Sequence, residues 1–187
     1  MRKLSTIPDD FEPISGASNY LKLTQGKHRV RILSEAIAGY SWWIDTPEGG
    51  RKPQRIKMDG RPPVEYAESV KKFLAFVVYN YELSKIQVWE VNQTSIQTEL
   101  KALEKDSDWE NLMDFDIEIE RTGTDKNTTR YRVTPKPKSD LPAEVIDLVA
   151  SKALPDLQAL YEGADPFTWA SQENVTAEDM EKADKDK

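Results

Sequence analysis

His28-Arg29-Val30-Arg31-Ile32-Leu33-Ser34, residues 28–34, alternates in character: Val30 and Ile32 fall on one side of an extended chain, Arg29 and Arg31 on the other. Such a strand offers one side to a core and keeps one basic side. Downstream, residues 39–46 continue as extended chain and hold Tyr40, Trp42, Trp43 and Ile44. The turn Pro47-Glu48-Gly49-Gly50 follows, and its glycines mark a loop of unusual torsions. Arg51, Lys52, Arg55 and Lys57 come next, and Asp59-Gly60-Arg61-Pro62-Pro63 ends any regular element.

Residues 72–81 and 85–91 are rich in β-branched and aromatic side chains and are separated by Glu82-Leu83-Ser84, which predicts a hairpin. Thr94-Ser95-Ile96-Gln97 fits a capping box, and Ile96, Leu100 and Leu103 recur at helical spacing, so an amphipathic helix is expected over about 94–106. Residues 114–120 alternate strictly, with Phe115, Ile117 and Ile119 against Asp114, Asp116, Glu118 and Glu120. This reads as a half-buried strand with an acidic outer face. In a last strand, Tyr131 and Val133 alternate with Arg130, Arg132 and Thr134.

A long bent strand, a hairpin, a helix and two further strands are the connectivity of a five-stranded oligonucleotide-binding barrel, a mainly-β fold with its amphipathic helix between strands three and four. Past it, a helical segment starts near Pro142, turns Val145, Leu148 and Val149 inward and is interrupted at Pro155. Residues 171–187 have no apolar period and hold six acidic against three basic residues, the pattern of a disordered acidic tail. The expected organisation is an N-terminal arm over 1–19, a barrel core over 20–140, a C-terminal helical segment over 141–170 and the tail over 171–187.

At 187 residues the chain fits one core plus appendages. It has no cysteine, hence no disulfide framework and no thiolate zinc site. No apolar run is long enough to span a bilayer, and the N-terminus lacks the apolar stretch of a secretory signal, so a cytoplasmic protein is expected. The net charge of -7 argues at first against a nucleic-acid partner, but the charge is unevenly placed. Residues 20–72 hold eleven Lys and Arg against six Asp and Glu, and residues 121–139 hold six against one. Catalysis has little to work with: His28 is the single histidine, and no nucleophile-elbow, zincin or phosphate-loop motif is present. The carboxylates of 106–120 follow strand alternation rather than a calcium-loop pattern. The expectation is a protein that is not an enzyme and holds no metal or cofactor.

Single-strand binding asks for cations along a groove and rings on which bases stack. Tyr40, Trp42 and Trp43 lie between Arg29 and Arg31 on one side and Arg51, Lys52, Arg55 and Lys57 on the other. Adjacent residues of an extended chain point to opposite faces, so one of Trp42 and Trp43 is exposed unless another element covers it; periodicity does not say which. In the next strand Leu74, Phe76 and Val78 share the purely apolar parity and are the core candidates. Tyr79 and Tyr81 share the other parity, where a binding face and a core role both stand open. Trp89 and Trp109 read as structural.

The segments 20–35, Gly39-Tyr40-Ser41-Trp42-Trp43, Phe76-Val77-Val78-Tyr79-Asn80-Tyr81, Arg121-Thr122-Gly123 and Tyr131-Arg132-Val133-Thr134-Pro135 resemble, in the same order, phage single-stranded DNA-binding proteins, the helix-destabilising core of the T-even kind. The resemblance spans roughly residues 20–140. It implies sequence-independent coating of single strands in replication, recombination and repair, inside the cytoplasm of an infected bacterial host. Stacking would fall on Tyr40, Trp42, Trp43, Tyr79 and Tyr81, and phosphate contact on Arg29, Arg31, Lys52, Arg55, Lys57 and Arg132. Replication or recombination proteins would be recruited through the acidic tail. The T-even zinc insert has no counterpart here, because there is no cysteine. The rival reading is a barrel that serves as a protein-interaction or virion-assembly module, its basic patches facing an acidic partner.

Overall fold

The computed structural model describes residues 18–151 and 154–168; the expected tail and nearly all of the expected N-terminal arm lie outside them. The described chain forms one antiparallel sheet of seven strands: β1 (Gly26–Ile32), β2 (Ile37–Asp45), β3 (Arg51–Lys57), β4 (Lys71–Asn80), β5 (Lys85–Val91), β6 (Phe115–Thr122) and β7 (Arg130–Lys138). The strands run in the order β3-β2-β4-β1-β6-β7, with β5 on the other edge of β4. The count exceeds the expected five for two local reasons. Residues 33–36 break the long first strand, and both halves pair with one edge of β4: β1 with residues 78–80 and β2 with residues 71–75. Leu33 N–H donates to the Val77 carbonyl and Val77 N–H to Ser34 Oγ, pinning that bend. The basic stretch after the turn is itself a strand, β3, and it tolerates Pro53 because it lies at the edge of the sheet.

Helix α1 (Thr94–Lys105) buries Ile96 and Leu100 at the expected spacing and packs on β7, where Glu99 accepts the Val133 N–H. The capping box is not formed: Gln93 is the N-cap, and the Gln97 amide donates instead to the carbonyls of Val91 and Lys72, tying the helix to the strands. Helix α2 (Ala143–Ser151) follows, and after it comes a 3-10 helix, Leu157–Glu162. No helix among the described residues is long and apolar enough to cross a membrane.

Two cores share the sheet. Val30, Ile32, Phe76, Val78, Trp89, Phe115, Ile117 and Ile119 meet Ile96 and Leu100 on one face. On the other, Phe73, Ala75, Val77, Tyr79, Ile86 and Val88 meet Val145, Leu157, Leu160 and Phe167. From Phe73 onward strand β4 contributes to both cores and is buried on both faces, so neither parity of that stretch is free to face a ligand. Full burial of each such side chain stabilises the fold by about 1.5–3 kcal/mol. Trp89 packs beside Phe76, and Trp109 sits edge-on to Phe115, both in structural roles.

Candidate nucleic-acid interface

Strand β2 pairs with β4 only as far as Ser41↔Lys71, yet its pairing with β3 runs on to Asp45↔Arg51. Residues 42–45 and 51–54 therefore form a two-stranded arm beyond the end of β4. Its tip closes through Gly49, which adopts φ 85°, a conformation that glycine takes without strain; Gly49 N–H donates to the Thr46 carbonyl and Thr46 N–H to the Gly50 carbonyl.

The arm carries the two tryptophans on opposite faces. Trp43, opposite Pro53, is 53% exposed. Trp42, opposite Gln54, is 7% exposed, because Tyr66 from the loop between β3 and β4 stacks on it with ring centroids 6.2 Å apart and planes at 28°. Tyr40, half-buried, shares the Trp42 side of β2.

On the Trp43 side a groove of about 1140 Å³ runs between the arm, the segment 18–22 and the 3-10 helix 157–162. Lys22 and Lys71 line it, and Lys52 borders it although its pairing with Ile44 roots it on the Trp42 face of the arm; all three are exposed and have no carboxylate partner among the described residues. Arg55 also lines it but is committed: its Nε and Nη2 donate to Glu90 Oε2 at 3.1 and 2.7 Å. Asn92 Nδ2 in turn donates to Glu90 Oε1, and the Ser41 hydroxyl donates to Asn92 Oδ1, giving the groove a polar, internally paired floor. Burial lifts the Tyr20 phenol on this wall above its ordinary pKa, although Arg55 pulls the other way. Lys57 lies over the Tyr161 ring at 5.7 Å, and the Tyr161 hydroxyl donates to the Ala38 carbonyl.

Three of the sequence-nominated residues, Arg29, Arg31 and Tyr81, gather elsewhere, around Asp116. The Asp116 carboxylate is buried and accepts from Arg31 Nε at 2.6 Å, from Arg29 Nε and Nη2 at 2.9 and 2.6 Å, and from the Tyr81 hydroxyl at 2.9 Å. Burial alone would raise its pKa, but the hydrogen bonds from Arg31, Arg29 and Tyr81 outweigh that and hold it below the usual carboxylate value. Burial, and then the bond to Asp116, push the Tyr81 phenol up to about 12.

Two nominations are corrected here. Arg31 is 1% exposed and spends its remaining donors on the Ser139 carbonyl and hydroxyl and the Met113 carbonyl, so it has no group left for phosphate. Tyr79 is 3% exposed in the second core, edge-on to Tyr81. Arg29 stays partly exposed over the Tyr81 ring, while Arg132 is exposed on β7, at the far end of the strand order from the arm. The physical cause is cross-strand pairing: β1 and β6 run antiparallel with Arg31 opposite Asp116, Arg29 opposite Glu118 and Lys27 opposite Glu120. The basic side of one strand is neutralised by the acidic side of the other.

The structure thus brings together Trp42, Trp43 and Lys52 on one arm, with Tyr40, Arg55 and Lys57 at its base. It adds Lys22, Tyr66, Lys71 and Lys72, which sequence reasoning did not single out, although the adjacent lysines opening β4 were a visible signal. Among the described residues no group of three or more acidic or histidine side chains is placed to hold a metal ion. Comparison with family models, with curated proteins and with solved structures gives no match to this chain.

Proposed function

We propose that this protein binds single-stranded DNA without sequence preference, coating it stoichiometrically during replication, recombination and repair of a phage genome. The observation that carries the reading is Trp43, a large ring more than half exposed on a projecting arm, beside lysines with no carboxylate partner among the described residues. Leaving an indole in water is unfavourable unless something covers it in the working state, and a nucleobase stacked on it is worth about 1–3 kcal/mol. Lysines at the groove wall supply the complementary attraction for phosphate, and the pairing of Arg55 with Glu90 keeps the floor from becoming a bare cationic patch. Duplex DNA, whose bases are already stacked, has no ring to offer Trp43.

In this reading the sheet is an elaborated oligonucleotide-binding barrel. β1 and β2 act as its long bent first strand, β4 and β5 as its hairpin, and β6 and β7 as its last two strands. One of the two cores, the one to which β1, β4, β5, β6 and α1 all contribute, supports this. The β2–β3 arm is then the addition that carries the binding rings. The resemblance to phage single-stranded DNA-binding proteins favours the same reading, and with it recruitment of replication partners through the acidic tail.

Titrating the full chain with oligo-dT, matched duplex and matched RNA over a salt series tests the proposal. Three phosphate contacts, from Lys22, Lys52 and Lys71, give a log–log salt slope of about -2.1 on single strands. Single-stranded DNA should bind far more tightly than duplex. Equal affinity for both, or a flat salt response, would refute the assignment.

A further inference from the structure

We infer that Trp42 is a second stacking site for a nucleobase, held closed by Tyr66 until single-stranded DNA displaces it; the inference rests on the single-strand binding proposed above. Four observations meet at this ring. Trp42 is nine-tenths buried, yet its Nε1–H has no hydrogen-bond partner among the described residues, so the closed arrangement leaves that donor unsatisfied by them. Its cover is slight. Among the described residues, the hydrogen bonds of residues 60–70 all close within the loop or onto Lys57, and Val64 at the loop's 3-10 turn is 90% exposed. Among the described residues, packing, chiefly the Tyr66 ring on Trp42, is what holds this part of the loop to the arm.

The surroundings suit a nucleic acid. Cross-strand partners share a face, so Lys72 beside Tyr40, Gln54 beside Trp42 and Lys52 beside Ile44 stand on the Trp42 side of the sheet. Lys52 and Lys72 are exposed and have no carboxylate partner among the described residues. A ring flanked by two uncommitted cations, and covered by another ring on a loosely held loop, is the closed form of a stacking platform. Tyr66 occupies the place a base would take. Its displacement exchanges one ring-on-ring contact for another while the lysines gain phosphate, which supplies the differential affinity that opening requires.

Competition by Tyr66 lowers the apparent affinity by the fraction of molecules that are closed. The value of an aromatic pair sets the size of the effect: Tyr66→Ala should bind oligo-dT about 2- to 12-fold more tightly than wild type. The companion measurement uses the wild-type chain. In ¹⁵N-labelled protein titrated with oligo-dT, the Trp42 indole N–H resonance, assigned by its loss in Trp42→Phe, should shift together with that of Trp43. A Trp43 resonance that moves while Trp42 stays fixed to saturation would overturn the gate and leave single-strand binding standing. Unchanged or weaker affinity in folded Tyr66→Ala would overturn it too. No binding and no shift at either ring would overturn the gate and the binding proposal together.

Discussion

Replacing Asp116 with Asn separates the cross-strand clamp from the rest of the fold and tests whether the basic side of β1 is structural. The substitution keeps the shape and removes one charge. Of the two guanidinium groups it serves, Arg29 has a side chain 53% exposed and can turn to water, whereas Arg31 at 1% cannot. The cost therefore falls on Arg31, left buried without a counter-charge and still bonded to the Ser139 and Met113 carbonyls. Breaking a buried pair in this way costs about 3–5 kcal/mol. For a chain of this length that lowers Tm by roughly 6–20 °C. Urea unfolding followed by far-UV circular dichroism measures it, and the double variant Arg31→Met/Asp116→Leu should recover most of the loss, since removing both charges also removes the desolvation cost. The pH dependence has a definite sign. The folded pKa of Asp116 is held below its unfolded value of 3.8, so its contribution is complete above that pH and fades as pH falls towards the folded pKa. Asp116→Asn should lack this part of the acid transition. A loss below about 1 kcal/mol, or a double variant as unstable as the single one, would refute the reasoning.

Tyr81 should ionise late in an absorbance titration, near pH 12, and the stability tied to it should be intact below pH 10 and decline between pH 10 and 12; Tyr81→Phe should abolish that decline. Trp42→Ala should lower stability by about 3–5 kcal/mol, as for a packed ring, while Trp43→Ala should change it by less than about 0.5 kcal/mol, both read from urea midpoints. Gly39→Ala should destabilise by about 1–3 kcal/mol, because its new methyl would run into the backbone carbonyl of Ile56 where β3 crosses closely; wild-type stability in this variant would contradict the close approach.

Much of the sheet was legible because periodicity reports on single strands. The alternations of 28–34 and 114–120 placed Val30, Ile32, Phe115, Ile117 and Ile119 correctly in the core. What periodicity does not carry is register between strands about 85 residues apart. Arg29 and Arg31 read as a basic face and Asp116 and Glu118 as an acidic one, while their mutual neutralisation appears only once β1 and β6 are laid side by side. Complementary charge on two alternating strands was the available signal for that pairing. Strand β4 was apolar on both parities, the mark of a strand buried on both faces, yet Tyr79, with Tyr81 just past its end, drew one parity towards the surface. The stretch 51–57 read only as a run of basic residues, because it has no apolar period to mark it as a strand; as an edge strand it needs none and tolerates Pro53. The adjacent tryptophans were bound to point apart, but which one stays exposed depends on Tyr66, whose loop no local pattern could dock.

The exposed ring on the arm is the point on which binding turns. The decisive measurement is a titration of the full chain with oligo-dT at low salt, following tryptophan fluorescence in wild type, Trp43→Phe and Trp43→Ala. Stacking on Trp43 predicts quenching in wild type, a reduced quench in Trp43→Phe, and an affinity loss of about 1–3 kcal/mol in a folded Trp43→Ala. Absence of quenching in wild type, or wild-type affinity in Trp43→Ala, would contradict it.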